Sequence, residues 1–458
     1  MAMVEKKSVC VDARTVQGNW HARLNSFSDT ETLVEAVASR PGFPGANPLC
    51  QLSLLARRPS VRFDDIQEAV AADKVLIRAG AFRGALFVLA AEDYPLYFHA
   101  LRGVLREAGM QPLVQAGILH DTLQSCAAVL RRESWQGACR HDHEVLELLQ
   151  PMLACRPKGD LAGLTLRKLC DAGVLVRVAA KAATSNQFTY GLMHEWFPAL
   201  QENPLEEKEA RAELLRHYLA CHAPATVQDM IWWTGLSAKE TKQALEALGK
   251  ELVPVRVQGD KRSFIALRES LAGGRAPLLQ KPSVKSERFE GRGSEQEKPR
   301  SGPPGAVVFL PPWDPFPLGW ENKSLILEKK WQPWVYASAA NAASVIVHRG
   351  RIVGVWQLQG GSRAALELHV FATTAKGDKA AVLAQAPKFA KQVAGVFGLS
   401  DVGIAERPLP QPLRERAAGS FLWPLGRSTP QQVSFIDRRR GNAFRKTYLS
   451  GPPSRAGD

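Results

Sequence analysis

The sequence predicts an α+β protein in which tandem winged-helix (helix-turn-helix) modules are followed by a C-terminal β-rich domain. Three observations carry that reading. Helix-helix-strand patterns recur three times before residue 270. A stretch rich in Gly, Pro, Ser and mixed charge, Ser270 to Gly305, then interrupts the chain. Beyond it, β-branched and aromatic runs replace helical spacing.

The bulk numbers agree with several domains. A chain of 458 residues, 45% of them apolar, has material for about three packed cores. The formal net charge of +14 favours a polyanionic partner. Seven scattered cysteines with no CxxC pair argue for a reducing compartment rather than a disulfide framework. The opening "MAMVEKKSVCVDARTVQGNW" has no apolar signal-peptide core, and no run approaches the roughly 18 apolar residues of a membrane span. A soluble, cytoplasmic monomer without membrane contact is therefore expected.

The first unit is expected over residues 20–110. It holds a short helix from Phe63 to Ala72, a hairpin in "KVLIRAGAFRGALFVLA", and a helix from Asp93 to Glu107. The second, residues 111–205, reads as helix, turn, helix, strand between Asp160 and Met193. The third, residues 206–270, is the most explicit. In "TVQDMIWWTGLSAKETKQALEAL", Thr226 with Asp229 and Ser237 with Glu240 both fit the capping box. Gly235 stands where a helix end needs a left-handed residue. A linker is expected over 271–305, the β-rich domain over 306–425, and a basic tail over 426–458. One helix is expected in that domain, from Lys379 to Phe397 with Asp378 as N-cap, kinked or split at Pro387.

In the third unit the second helix places Thr241, Ala244, Leu245 and Leu248 on an inner face. Lys239, Lys242, Gln243 and Glu246 fall outside. A strand pair follows, turning at Gly259-Asp260 with Lys261 and Arg262 at its tip. That is the outline of a winged helix: one helix for the major groove of double-stranded DNA, and a basic wing for phosphates. The competing reading is a protein-packing module, since Glu240 shares the helix.

Several segments resemble one family, the winged helix DNA-binding domain-containing proteins that include the AlkZ/YcaQ-type DNA glycosylases. "YLACHAPATVQDMIWWTGLSAKETKQALEALGKELVPV" is similar to the family's third winged-helix unit. "IRAGAFRGALFVLAAEDYPLY" resembles its hairpin-and-helix segment, which includes Arg83. "VVFLPPWDPFPLGWENKSLIL" and "HRGRIVGVWQL" resemble parts of its C-terminal domain. The resemblance implies tandem winged helices around a concave DNA surface, closed by a β-rich domain. It also implies excision of alkylated or crosslinked purines through a Gln-x-Gln motif that holds water near the sugar C1′. Here the two glutamines fall on Phe43 and Gly45, or on Pro44 and Ala46 after a one-residue shift. The nearest polar substitutes are Asn47 and Gln51, and Ala85 and Phe87 replace the family's Thr and His.

Two functional classes follow: a DNA binder without the chemistry, or a glycosylase using Gln51, Asn47 or Asp93. A transcriptional regulator or scaffold is the further alternative. Asp93 also reads as a helix-start acid, and Asp314 as an Asp-Pro turn residue. Trp313, Phe316 and Trp320 read as core, or as rings for stacking on an unpaired base. "CRHDHE", Cys139 to Glu144, matches no zinc spacing and reads as a helix start capped by Asp142, so no metal is expected. Arg438, Arg439, Arg440, Arg445 and Lys446 offer further phosphate contacts in the tail. No phosphate-cradling loop, Ser elbow or HExxH is present, so no cofactor is expected.

Overall fold

The computed structural model describes residues 8–24, 32–153, 157–198, 205–271, 306–338, 341–359 and 364–413. The expected linker beyond residue 271 and the basic tail lie outside the described residues.

The first hairpin forms where the apolar run predicts it, with strands Leu76–Gly80 and Leu86–Ala90. The helix Phe63–Ala71 precedes it and the helix Tyr94–Glu107 follows. The short strand Phe43–Pro44 pairs with Leu86–Ala90 on the outer side. On the inner side Arg78 stands opposite Arg177 of the strand Leu175–Ala180, which in turn pairs with Phe188–Leu192. Hairpins from the first and second units thus merge into one five-stranded sheet. Between Asp160 and Met193 the order is one helix, Asp160–Asp171, then two strands, not the expected helix, turn, helix, strand. The β-branched content of "VLVRVAA" outweighs its weak helical spacing once it can pair with the first hairpin.

The third unit contains helices Glu207–His222, Val227–Thr234 and Ala238–Leu248, then strands Leu252–Val257 and Phe264–Leu267. Both capping boxes form, and Gly235 takes φ 79°. In the first strand Val253, Val255 and Val257 are buried while Arg256 is exposed, the period of a half-buried strand. The N-terminal strand Val9–Val11 adds alongside it in parallel, so Leu252–Val257 is the central strand of a three-stranded sheet.

Beyond residue 306 an antiparallel sheet runs in the spatial order Gly403–Glu406, Ala365–Val370, Arg351–Gln359, Val345–His348, Val308–Leu310, with the first pair parallel. The helix Lys376–Phe397 packs against it. It starts three residues before the expected Lys379, with Ala375 and not Asp378 at the N-cap, and continues unbroken through Pro387. Proline here sacrifices one backbone bond in a helix whose face is buried by Val382, Ala386, Phe389 and Val393, and that burial carries it. Similarly, the helix Asp142–Leu149 is capped by His141 with Glu144, not by Asp142.

Packing links these parts unequally. Residues 110–192 hold a core of their own. The helix Leu49–Leu55 and its neighbours share one core with the C-terminal sheet and its long helix. A third core joins the N-terminal helix Ala13–Leu24, the first hairpin, the third unit and residues 308–355. Among the described residues no helix is long and apolar enough to cross a membrane.

Candidate nucleic-acid interface

Two places gather the chemistry: a buried seam between the first unit and the C-terminal domain, and an exposed face on the third unit.

The seam is built on Leu49–Leu55, a helix in which every residue is buried. A helix buried on all sides must sit inside a larger body, and here it shares one core with the first hairpin and with the C-terminal sheet and its long helix. Ser53 on this helix and Arg57 just beyond it share one partner. Ser53 Oγ donates to Asp314 at 2.8 Å, and Arg57, one turn on, grips the same carboxylate with two N–H groups at 2.7 and 2.8 Å. Asp314 is fully buried and also accepts the Phe316 N–H, capping the short helix Pro315–Leu318. Asp314 is therefore the turn residue that its Asp-Pro step suggests, and it doubles as the anchor of the C-terminal domain.

The resemblance places the two glutamines on Phe43 and Gly45, or on Pro44 and Ala46; Phe43 belongs to the core shared with the C-terminal domain, and Gly45 lies against the first hairpin. Phe43 is fully buried, with the Arg57 guanidinium 5.1 Å over its ring. Gly45 donates its N–H to Leu86 at 2.8 Å, and a Cβ there would stand 2.6 Å from the Leu86 side chain. No larger side chain fits that spot without displacing the hairpin.

The polar substitutes differ in how they are used. Asn47 is occupied: its side-chain amide donates to Ser185 O at 3.0 Å. Its N–H and C=O exchange bonds with Asn186 at 2.8 and 3.0 Å. It fastens the first unit to the loop of the second hairpin. Gln51 is 6% exposed, and its Oε1 is buried with no hydrogen-bond partner. Asp93 is also 6% exposed and stands at the N-cap of Tyr94–Glu107 without making a cap bond. Burial, reinforced by Glu92, pushes its carboxyl up to about 8.

The exposed face is the outer side of Ala238–Leu248. Lys239, Lys242 and Gln243 all reach solvent, with Glu246 3.9 Å from Lys242 and Glu240 drawn away to Arg211 at 3.0 Å. The Gly235 turn that leads into this helix rests on the first unit. A Cβ at Gly235 would lie 3.1 Å from Val104 and 3.3 Å from Arg83. Arg83 itself takes φ 51° in the hairpin turn and lays its guanidinium 4.4 Å over Trp232. The predicted wing tip is split in use. Lys261 is exposed, whereas Arg262 is held by Asp260 at 2.9 Å and by Ser324 of the C-terminal domain at 3.0 Å.

Two arrangements here escape a sequence reading: the cations gathered on Trp232, and the pair Arg102 and Arg106. Trp232 has Lys323 5.5 Å from its ring as well as Arg83. Lys323 is 6% exposed, and burial, followed by the nearby Arg83 charge, lowers its ammonium to about 7. Arg102 and Arg106 are exposed on the helix that presents Val104 to the Gly235 turn. Their basic character is visible in sequence, but the packing of their helix against the Gly235 turn depends on how two units dock. Among the described residues no group of His, Cys, Asp and Glu could hold a metal ion.

The fold of the chain resembles that of Streptomyces sahachiroi DNA glycosylase AlkZ, with a TM-score of 0.63, 20% identity, and coverage of 87% of this chain and 100% of that one. No curated protein matches the sequence. The model of the family "DNA glycosylase AlkZ-like" matches residues 47–391, well over half of the chain. The protein accordingly belongs to the AlkZ-like DNA glycosylase family.

Proposed function

We propose that this protein binds double-stranded DNA through tandem winged helices and lacks the family's Gln-x-Gln chemistry. The observation that carries the reading is the contrast between its two sites. The helix Ala238–Leu248 keeps Lys239, Lys242 and Gln243 in solvent beside the Arg83 turn, while Phe43 and Gly45 fill the seam with a buried ring and a glycine that admits no side chain. Cations in solvent can neutralise phosphates and release counterions. A phenyl ring and a glycine cannot hold water against a sugar carbon. Lys261 adds a wing contact, and Ser324 of the C-terminal domain supports the wing by accepting a hydrogen bond from Arg262.

A second reading rests on Gln51. A buried amide oxygen without a partner costs free energy unless something else uses it. In that reading Gln51 orients the attacking water for excision of a damaged purine.

Fluorescence anisotropy at two salt concentrations, on an intact duplex and on one with an abasic-site analogue, tests the proposal, together with an excision assay on alkylated DNA. Salt-sensitive binding without release of base is expected. Excision that disappears in Gln51→Ala while binding persists establishes the second reading, and absence of any duplex binding at low salt overturns both.

A further inference from the structure

Three aromatic residues line the segment that opens the C-terminal domain, and the structure treats them differently. Phe316 and Trp320 are 6% and 3% exposed and pack edge to face, with Trp320 also against Trp20. They are core. Trp313 packs against the edge of that core but stays half-buried, and its ring pairs with no other aromatic among the described residues. It also adopts φ 58°, a left-handed conformation that a bulky residue avoids.

Such a conformation persists only where the surroundings impose it. Here they do. Pro311 and Pro312 precede Trp313, its N–H reaches Ala342 O at 3.4 Å, and its indole N–H donates to Asn341 at 3.1 Å. The next residue, Asp314, is fixed by the bidentate grip of Arg57 and by Ser53. Arg57 and Ser53 belong to the buried segment that carries Gln51, so a held, partly accessible indole stands at the junction of the first unit and the C-terminal domain.

We propose that Trp313 is the residue on which this protein stacks an unstacked nucleobase, or fills the gap beside one, in a duplex opened at a single nucleotide. The proposal rests on the DNA-binding reading above. An indole face accepts any base, so it gives preference for opened over intact duplex without reading sequence. The strained backbone and the Asn341 bond hold the ring in one place, so little ordering is needed when a base arrives.

The test compares full-length protein with Trp313→Ala and Trp313→Phe on two duplexes, one intact and one with a single bulged 2-aminopurine. Trp313→Ala is expected to weaken binding to the bulged duplex about tenfold, equivalent to about 1.4 kcal/mol, and binding to the intact duplex less than twofold. Trp313→Phe should keep most of the affinity. Emission from the bulged base should be quenched by the natural protein and recovered in the variants. Equal losses on both duplexes, or unchanged quenching in Trp313→Phe, overturn the proposal even if Trp313→Ala folds poorly. Failure of the natural protein to bind either duplex would instead remove the DNA-binding reading itself.

Discussion

The seam around Asp314 and the outer face of Ala238–Leu248 are both charged, yet their charges do opposite work. In the seam, Arg57 and Asp314 are both buried and bond to each other and to groups beside them. On the helix, Lys239 and Lys242 reach solvent and contribute little to the fold. A charge serves architecture when its partner is inside the chain, and stays available for recognition when water is its main partner. Arg262 shows the intermediate case, a basic wing residue claimed by Asp260 and Ser324.

The largest effect should come from breaking the seam. Asp314→Ala leaves Arg57 buried and uncompensated and removes a cap, so a loss of about 3–5 kcal/mol is expected. Urea unfolding followed by fluorescence reads it. A loss below about 1 kcal/mol would mean that the pair does not anchor the C-terminal domain.

The exposed helix should respond in binding and not in stability. Lys239→Ala with Lys242→Ala is expected to weaken duplex binding by roughly tenfold at low salt. The slope of log affinity against log salt should flatten by about 2. Lys261→Ala with Arg262→Ala should flatten it by about half as much, because Arg262 is already engaged. Equal slopes for the two double variants would erase the distinction drawn between helix and wing.

A smaller effect sharpens the contrast between two buried carboxylates. Asp314 has a cation; Asp93 is raised to about 8 by burial and by Glu92. A folded-state value above the ordinary 3.8 means that the folded protein holds the proton more tightly than the unfolded chain. Its contribution is therefore full at low pH and is lost as pH rises towards 8. Asp93→Asn, which mimics the protonated form, should match the natural protein near pH 4 and exceed it in stability near pH 8. Parallel curves across that range would show that Asp93 is not buried in the protonated state.

Much of this was legible in the chain. Thr226, Asp229, Ser237, Glu240 and Gly235 specify their two helices and the turn between them by contacts three or four residues apart. The first hairpin, the buried face of Ala238–Leu248 and the half-buried strand Leu252–Val257 follow from local apolar period. Departures from the local pattern have a non-local cause. Residues 175–180 became a strand because Arg78 and its neighbours offer an edge 100 residues away. The helix through Pro387 stays whole because a sheet buries its face.

The sequence by itself determined local geometry and the basic helix face, because each is a property of residue type or short spacing. Tertiary structure decided which polar groups are spent and which remain. Asn47 is tied to Ser185 and Asn186, Arg57 to Asp314, Arg262 to Ser324, while Gln51 keeps a buried oxygen without a partner. Those partners are separated by tens to hundreds of residues along the chain. Burial depends on the whole packed body, so no local pattern encodes which side chain a buried group will meet.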